Sequence, residues 1–179
     1  MHGTLMHGFK QYVVESYGTR VWTGITKSAH VAGSYISGQA YPDEEFAGLV
    51  GATATFLGKS PTVVLEEYGA QIVPLLVGIY GVFVEPSWRT LDLLMKADSV
   101  IHKAIRVRDA SAQPPRLQPR RISDREVQID YDSPRRLCAL AIGICRGVAA
   151  HYQESITIEQ PECMHAGASR CRIVVRLDA

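Results

Sequence analysis

The sequence lacks an excess of charge of either sign. Nineteen lysine and arginine residues stand against eighteen aspartate and glutamate residues, which leaves a formal charge of +1 on 179 residues. Binding to phosphate backbones and to anionic lipid depends on positive charge, so we expect no nucleic acid partner. The densest basic cluster, Arg116 to Arg125, is interrupted by Pro119 and Asp124. We interpret this cluster as a solvated connector.

Long hydrophobic runs are also missing. The longest apolar stretch, Ile72 to Val84, covers about thirteen residues and contains Pro74, Gly78 and Gly81. About twenty residues are needed to span a bilayer, so we expect a buried segment and no membrane partner. The opening residues MHGTLMHGFKQYVVE have apolar residues at helical spacing, without the basic region and apolar run of a secretory signal. We therefore expect a mature start and a cytoplasmic protein.

Cysteine is confined to the last quarter of the chain, at Cys138, Cys145, Cys163 and Cys171. Without a secretory signal, a disulfide framework is disfavoured. Metal ligation or simple burial is the better interpretation of these thiols.

The composition is that of an ordinary globular protein, with 46% hydrophobic and 21% charged residues. The length suits one domain, which we place at residues 1–179. In the first part, about residues 1–110, apolar residues recur at helical spacing between glycines and prolines. Gly18 and Gly58 are predicted to end helices, and Ser60-Pro61 to start one.

The second part, about residues 111–179, mixes strand and helix patterns. Glu126 to Tyr131 alternates polar and apolar residues, as a half-buried strand does. A long helix is predicted from about Pro134 to Gln153, followed by strands at Ser155 to Glu159 and Arg170 to Leu177. The fold class is therefore α+β, with a helical N-terminal lobe and a C-terminal lobe of antiparallel sheet plus helices.

His102 lies on an apolar helix that starts near Ser87 or Thr90 and ends before Pro114-Pro115. A single histidine in an apolar stripe is most often a core residue. Imidazole is also a common ligand of haem iron, and an apolar helix face suits a flat macrocycle. His102 alone does not decide between these two interpretations.

A second pattern, Tyr131-x-Ser133-x-Arg135, follows the predicted strand. In an extended segment Tyr131 and Ser133 point to the same side, with Arg135 close by. Two hydroxyls and a guanidinium suit carboxylates held in a partly apolar site. The alternative is a turn with a surface arginine.

These patterns occur together with several short motifs in a fixed order. The motifs are Met1-x-Gly3, Tyr17-Gly18 followed by Trp22, Leu57-Gly58-Lys59, Tyr68-Gly69, His102, Pro114-Pro115 and Y-x-S-x-R. In this order they resemble the H-NOX (haem nitric oxide binding) family over essentially the whole chain.

The resemblance implies a haem b between the two lobes. His102 would be the proximal iron ligand, and Tyr131, Ser133 and Arg135 would clamp the haem propionates. Pro115 would pack on the haem and help to distort it, although it also serves as a simple loop stop. Four residues match family positions that line the distal pocket, and each would be equally ordinary in a core. They are Leu5, Phe9, Leu140 and Ile144.

The sequence departs from the family next to the iron ligand. The family often has an aspartate three residues before the histidine, whereas here Ser99 takes that place and Asp98 lies four before. We expect the local helix face to differ.

The cysteines form a second candidate site. Thiolates suit zinc, which needs four ligands, and Cys138, Cys163 and Cys171 are predicted to come together near the terminal turn. Some bacterial H-NOX proteins resemble this with a histidine three residues before the first of the terminal pair, where this chain has Gln160. His165 or Cys145 would have to substitute. The alternative is buried or redox-active thiols.

The resemblance implies a gas sensor with no catalysis of its own, which binds nitric oxide, and also carbon monoxide, at ferrous haem. Bacterial stand-alone relatives usually regulate a histidine kinase or a cyclic-di-nucleotide enzyme.

Oxygen-binding relatives have a tyrosine nine residues beyond the clamp tyrosine, and here that position is Leu140. We therefore expect oxygen to be excluded, unless Tyr12 or Tyr80 supplies a donor. Alternatives are a zinc or thiol redox sensor in which haem is secondary and, last, a haem enzyme such as a peroxidase.

Overall fold

A computed structural model describes residues 1–109 and 112–178. Helices fill the first part and a sheet fills the second, which confirms the predicted α+β class. The expected boundary at residues 110 and 111 lies outside the described residues. The helices are α1 (Gly3–Tyr17), α2 (Thr19–Ser28), α3 (Asp43–Leu57), α4 (Pro61–Gln71), α5 (Val73–Tyr80), α6 (Thr90–Lys96), α7 (Lys103–Arg108) and α8 (Cys138–His151). A π turn, Ala97–His102, joins α6 to α7, and short 3₁₀ turns occupy Gly81–Phe83 and Met164–Ala166.

The helix boundaries follow from local chemistry. Ser60 accepts a hydrogen bond from the backbone N–H of Val63 and so caps α4, with Pro61 at its first position. Gly58 has a φ of 64°, the left-handed conformation that ends α3. These predicted helix boundaries are therefore confirmed.

The sheet has four antiparallel strands in the order β1-β2-β4-β3. They are β1 (Arg116–Ser123), β2 (Glu126–Asp132), β3 (Ile156–Glu162) and β4 (Cys171–Leu177). Val127 and Ile129 of β2 and Ile173 of β4 are buried on one face, in a hydrophobic cluster that includes Cys138 and Ile142 of α8. The helix therefore covers one face of the sheet, as the sequence predicted.

The basic segment from Arg116 onward is a strand, which corrects its interpretation as a connector. It pairs with β2 along its length, from Arg116 opposite Asp132 to Arg121 opposite Val127. It lies at the edge of the sheet, where a strand tolerates both Pro119 and a row of exposed arginines.

The helix α8 begins at Cys138, later than the predicted Pro134. The segment before it is irregular, and Arg136 has a φ of 50°. This irregular segment leaves the Tyr-Ser-Arg pattern at the end of β2 outside the helix, facing the N-terminal lobe.

The two lobes meet where α4 crosses α8 at backbone distance. A Cβ atom on Gly143 of α8 would lie less than 3.0 Å from backbone atoms of Glu66, and one on Gly69 of α4 would collide with the Leu140 carbonyl oxygen. Gly147 meets the backbone of Ala70 in the same way. Only glycine allows this approach, because any side chain would push the helices apart.

Among the described residues, no single helix is long and apolar enough to span a membrane. Only the pair Pro61–Gln71 and Val73–Phe83, bent by 41°, passes that test of length and composition when taken together.

The glycine contact gives a prediction of stability. Gly143→Ala should destabilise the protein by roughly 1–3 kcal/mol, because a methyl group at this point overpacks two backbones. Gly24→Ala in α2 is the matched control, since nothing lies within 4 Å of its Cβ position. Alanine there should stabilise by about 0.5–1 kcal/mol. Urea unfolding of both variants measures the difference, and equal stability of the two would contradict the close contact.

Candidate functional site

An apolar cavity lies between the helical lobe and the sheet lobe. Its volume is about 280 Å³. Most of its wall is aliphatic, with residues from α5, α6, α7 and α8, and its polar groups lie toward one side. The aliphatic residues include Val73, Leu76, Val77, Leu93, Leu94, Ile101, Ile105 and Val148. Such a cavity can take a large flat apolar molecule.

His102 stands on the wall of this cavity, at the end of the π turn. A π turn holds one more residue than an α turn and often marks a functional site. Asp98 and His102 lie in the same π turn, and Ser99, three residues before the histidine, is exposed. The departure from the family spacing therefore coincides with a local change of the helix.

The imidazole of His102 is largely buried, with 16% of the side chain exposed. Burial lowers its pKa, although hydrogen bonds that the ring donates to Asp98 and to the Pro115 carbonyl act in the opposite direction. Nδ1 lies 3.3 Å from Asp98 Oδ1. A neutral imidazole that donates from Nδ1 keeps a lone pair on Nε2, which is the form that binds a metal ion.

Tyr131, Ser133 and Arg135 all line the same cavity, together with Pro115. The Tyr131 hydroxyl oxygen accepts a hydrogen bond from the Leu137 N–H at 3.1 Å. Burial raises the pKa of Tyr131 to about 12, so its hydroxyl stays neutral and can donate. The Ser133 hydroxyl oxygen accepts the Arg135 N–H at 3.3 Å, which holds the turn.

Arg135 also connects the two lobes. Its Nε donates to both carboxylate oxygens of Asp43 at 2.8 Å, and its Nη1 donates to the Gln113 carbonyl at 2.6 Å. The amino group of Met1 lies 2.7 Å from the same Asp43 carboxylate. Burial alone would raise the pKa of Asp43, but Arg135 and the terminal amine lower it. One carboxylate thus ties α3 and the chain start to the segment after β2.

Three of the four predicted distal residues line the cavity: Leu5, Leu140 and Ile144. Phe9 is absent from the lining. It is fully buried one layer behind, with its ring 5.1 Å from that of Tyr68 and 5.5 Å from that of Phe46. Phe9 therefore supports the distal wall and does not form its surface.

Other polar side chains near the cavity have partners. Thr4 donates to the Ser37 carbonyl at 3.2 Å. The Tyr12 hydroxyl donates to Glu67 at 2.9 Å, and Tyr12 is not part of the cavity lining. Tyr80 does line the cavity. Of the two tyrosines considered as hydrogen-bond donors to bound oxygen, only Tyr80 lines the cavity.

Two residues have roles that sequence reasoning did not identify: His2, which lines the cavity, and Asp43, which holds the lining residue Arg135. His2 caps α1 by accepting the Thr4 N–H at Nδ1, and its Nε2 lies 3.5 Å from Asp109. Asp43 lies in the first turn of α3. Its partner Arg135 is 92 residues away, so no local pattern could have shown the pair.

The three predicted thiols come together outside the cavity. Cys163 Sγ lies 3.9 Å from both Cys138 Sγ and Cys171 Sγ, and all three sulfur atoms lie within 4.8 Å of one another. Burial raises the pKa of Cys171 to about 12. Burial would also raise the pKa of Cys163, but the backbone N–H of His165 and the neighbouring thiols lower it overall.

Neither residue expected to supply the fourth zinc ligand, His165 or Cys145, belongs to this cluster. His165 is exposed, and its Nε2 lies 2.8 Å from the Arg136 carbonyl. Cys145 is buried on α8 but is not a member of the cluster. Gln160 lies on the same half-buried face of β3 as Ile158, and its amide nitrogen is buried without a hydrogen-bond partner. Among the residues that the structure describes, the cluster consists of these three thiols.

The cavity fits a haem in its chemistry. An aliphatic wall suits the macrocycle, the imidazole of His102 suits the iron, and the guanidinium and hydroxyls at the polar side suit two carboxylates. The model of the Haem-NO-binding family (HNOB) matches residues 2–160. No curated protein matches the chain.

Solved structures agree with this family match. An H-NOX protein from Shewanella oneidensis, in its Fe(II)NO state, is 26% identical over 100% of both chains, with a TM-score of 0.93. The H-NOX domain from Shewanella oneidensis in the Fe(II)CO state is 26% identical over 99% of both chains, with a TM-score of 0.89. The Fe(II) unliganded H-NOX protein from K. algicida, at 16% identity, covers 100% of this chain and 97% of its own with a TM-score of 0.89, and shares the fold. The chain therefore belongs to the H-NOX family of haem-based gas sensors.

Proposed function

We propose that this protein binds nitric oxide at a ferrous haem b held by His102, excludes oxygen, and passes the signal to a separate protein. The proposal rests on one observation: a single, mainly apolar cavity is lined by His102, by Pro115 and by the Tyr131, Ser133 and Arg135 side chains. The relatives solved with nitric oxide and carbon monoxide support the ligand class.

The residues divide into those that hold the haem and those that shape the gas site. His102 would ligate the iron through Nε2, while Arg135, Tyr131 and Ser133 would hold the propionates. When bound, ferrous haem supplies an iron atom that binds diatomic gases. Pro115, beside His102, would press on the macrocycle from the same side as the ligand.

The distal wall supports selectivity for nitric oxide. Leu5, Leu140 and Ile144 have no hydrogen-bond donor in their side chains, and haem pockets that retain oxygen generally provide one. Nitric oxide is less polar when bound and does not need such a donor. An apolar distal wall therefore favours nitric oxide, and carbon monoxide with it, over oxygen.

Signal transmission would use the charged contacts between the lobes. Arg135 serves both the Asp43 carboxylate and the proposed propionate site, so movement of the haem changes a contact that holds the helical lobe. His2 and Asp109 add a second contact, between the start of α1 and the segment after α7. A shift between two arrangements of the lobes is enough for signalling.

We propose a non-enzymatic regulator that works in the cytoplasm. Its partner would be a protein such as a histidine kinase or a cyclic-di-nucleotide enzyme, which would recognise one of the two arrangements. This protein would then require no catalytic group.

A second candidate function rests on the thiols. Thiolates bound about 2.3 Å from a zinc ion lie roughly 3.8 Å apart, close to the 3.9 Å separations of Cys163 from Cys138 and Cys171. We propose a zinc site with these three ligands, completed by water or another exchangeable group. Its alternative is a redox-active thiol cluster, in which Cys163 is the accessible member.

The first prediction concerns the iron ligand. His102→Gly should lose most of its haem during purification, and free imidazole added during expression should restore it, because the small ligand can occupy the vacated space. The haem absorbance relative to protein measures both effects.

His2→Asn is the matched control, since His2 is the other histidine of the cavity wall and asparagine still caps a helix. It should retain its haem. Equal haem loss in the two variants, or an unchanged spectrum in His102→Gly, would remove His102 from the assignment.

The second prediction concerns oxygen. Reduced wild-type protein in air should keep its ferrous spectrum and oxidise slowly, whereas Leu140→Tyr should form a stable oxygen complex because the hydroxyl supplies a donor. Leu140→Phe controls for size and should not bind oxygen. The measurement is the absorption spectrum over time.

A stable oxygen spectrum in the wild type would show that another donor exists. If Tyr80→Phe then abolished it, the donor would be Tyr80, and selectivity would have to be reassigned from Leu140 to α5.

The third prediction concerns the thiols. Protein produced with zinc available should contain close to one zinc per chain, and Cys138→Ser should lose it. Cys145→Ser is the control on the same helix, because Cys145 is outside the cluster and should keep the metal. Gln160→His should tighten binding by supplying a fourth ligand.

Metal analysis and a thiol count on the haem-free protein distinguish the two interpretations of the cluster. Only trace zinc together with reactive thiols would favour the redox alternative over the metal site.

A further inference from the structure

The helix that carries His102 also presents a carboxylate to the same imidazole. Asp98 Oδ1 lies 3.3 Å from His102 Nδ1, and both residues belong to the π turn. Their side chains are 28% and 16% exposed, so the contact is partly shielded from water. Ser99, at the usual family spacing for an aspartate, is exposed to solvent and takes no part.

We infer that Asp98 is a positioning residue that orients and polarises His102 by accepting its Nδ1–H. This inference rests on the proposed role of His102 as iron ligand. A carboxylate behind a metal-bound histidine fixes the tautomer and raises the basicity of the ring, so the nitrogen that faces the metal donates more strongly. In this chain the donor would be Nε2.

Arg106 opposes this effect. Its Nη2 lies 3.4 Å from Asp98 Oδ2 and 3.4 Å from the Asp98 carbonyl oxygen. The guanidinium draws negative charge away from the oxygen that faces His102. The strength of the His102 donor therefore depends on how the Asp98 carboxylate is shared between an imidazole and a cation on the same helix.

The backbone carbonyl of Pro115 is a second hydrogen-bond acceptor for the ring. It is an uncharged oxygen and raises the basicity of the imidazole less than a carboxylate does. If Pro115 alone held Nδ1–H when haem is bound, Asp98 would be a bystander, and removing its charge would leave the iron unaffected.

The consequence for sensing is a stronger bond between His102 and the iron. Stronger donation stabilises ferric over ferrous iron and therefore lowers the reduction potential. His102 would then hold the iron more firmly. Asp98 would thus set how readily the iron separates from the helix.

The test uses the full chain loaded with haem. Asp98→Asn should raise the reduction potential, lower the Fe–histidine stretching frequency in the resonance Raman spectrum of the ferrous protein, and increase haem loss to apomyoglobin on the order of tenfold. Arg106→Gln, at an exposed position, should move the potential and the stretching frequency in the opposite directions.

Asp92→Asn is the matched control. Asp92 lies on α6, just before the π turn, where its carboxylate pairs with Arg121 and does not line the cavity. Values of Asp98→Asn equal to those of Asp92→Asn would overturn the role of Asp98. If instead the proposed role of His102 as iron ligand were wrong, the result would be distinguishable, because His102→Gly would leave the haem spectrum unchanged. Should Asp98→Asn not retain haem, the opposite shift in Arg106→Gln still decides the question.

Discussion

The contact between the backbones of α4 and α8 is the constraint on which the rest of the structure depends. Gly69, Gly143 and Gly147 let the two helices approach until carbonyl groups and α-carbons touch. The first turn of α8 then reaches both candidate sites: Leu140 faces the cavity, while Cys138 packs with the hairpin of β3 and β4. A helix pair held at this distance leaves no room for side chains to adjust. The cavity is therefore set by backbone geometry on one side and by movable charged contacts on the other.

Those charged contacts have a different physical character. The Asp43 side chain is 44% exposed, whereas Arg135 is 21% exposed and Met1 only 3%. An ion pair with one member at the surface contributes little to stability, so the contact between Arg135 and Asp43 can rearrange. On the proposed function, the haem carboxylates compete with Asp43 for the same guanidinium. Binding of the cofactor and the relative position of the lobes are then linked through one side chain, whereas the glycine contact keeps the lobes attached.

The predictions from the sequence were most accurate where local chemistry decides the outcome. Ser60, Pro61, Gly18 and Gly58 mark helix ends because caps and left-handed conformations depend on neighbouring residues alone. The strand β1 was missed because its arginines and Pro119 are tolerated only at a sheet edge, and edge position is a property of the whole sheet. The role of Asp43 was missed for the same reason, since its partner comes from the other lobe. Phe9, which the family resemblance assigned to the distal pocket, is fully buried behind the cavity lining, and a sequence position alone does not give the depth of a side chain.

The π turn shows how a change in sequence spacing can alter a site without removing it. Asp98 stands one residue further from His102 than the family spacing, and the turn that contains both is wider by one residue than an α turn. The imidazole remains on the apolar side of the helix, and a carboxylate remains within reach of Nδ1. That carboxylate is shared, because Arg106 approaches it from the next turn. In this chain the electrostatics behind the proposed iron ligand are therefore determined within one helical segment, from Asp98 to Arg106. The proposed distal wall is built separately, by Leu5 of α1 and by Leu140 and Ile144 of α8. On the proposed function, the strength of the bond between His102 and the iron and the selectivity for the gas can then change independently of each other.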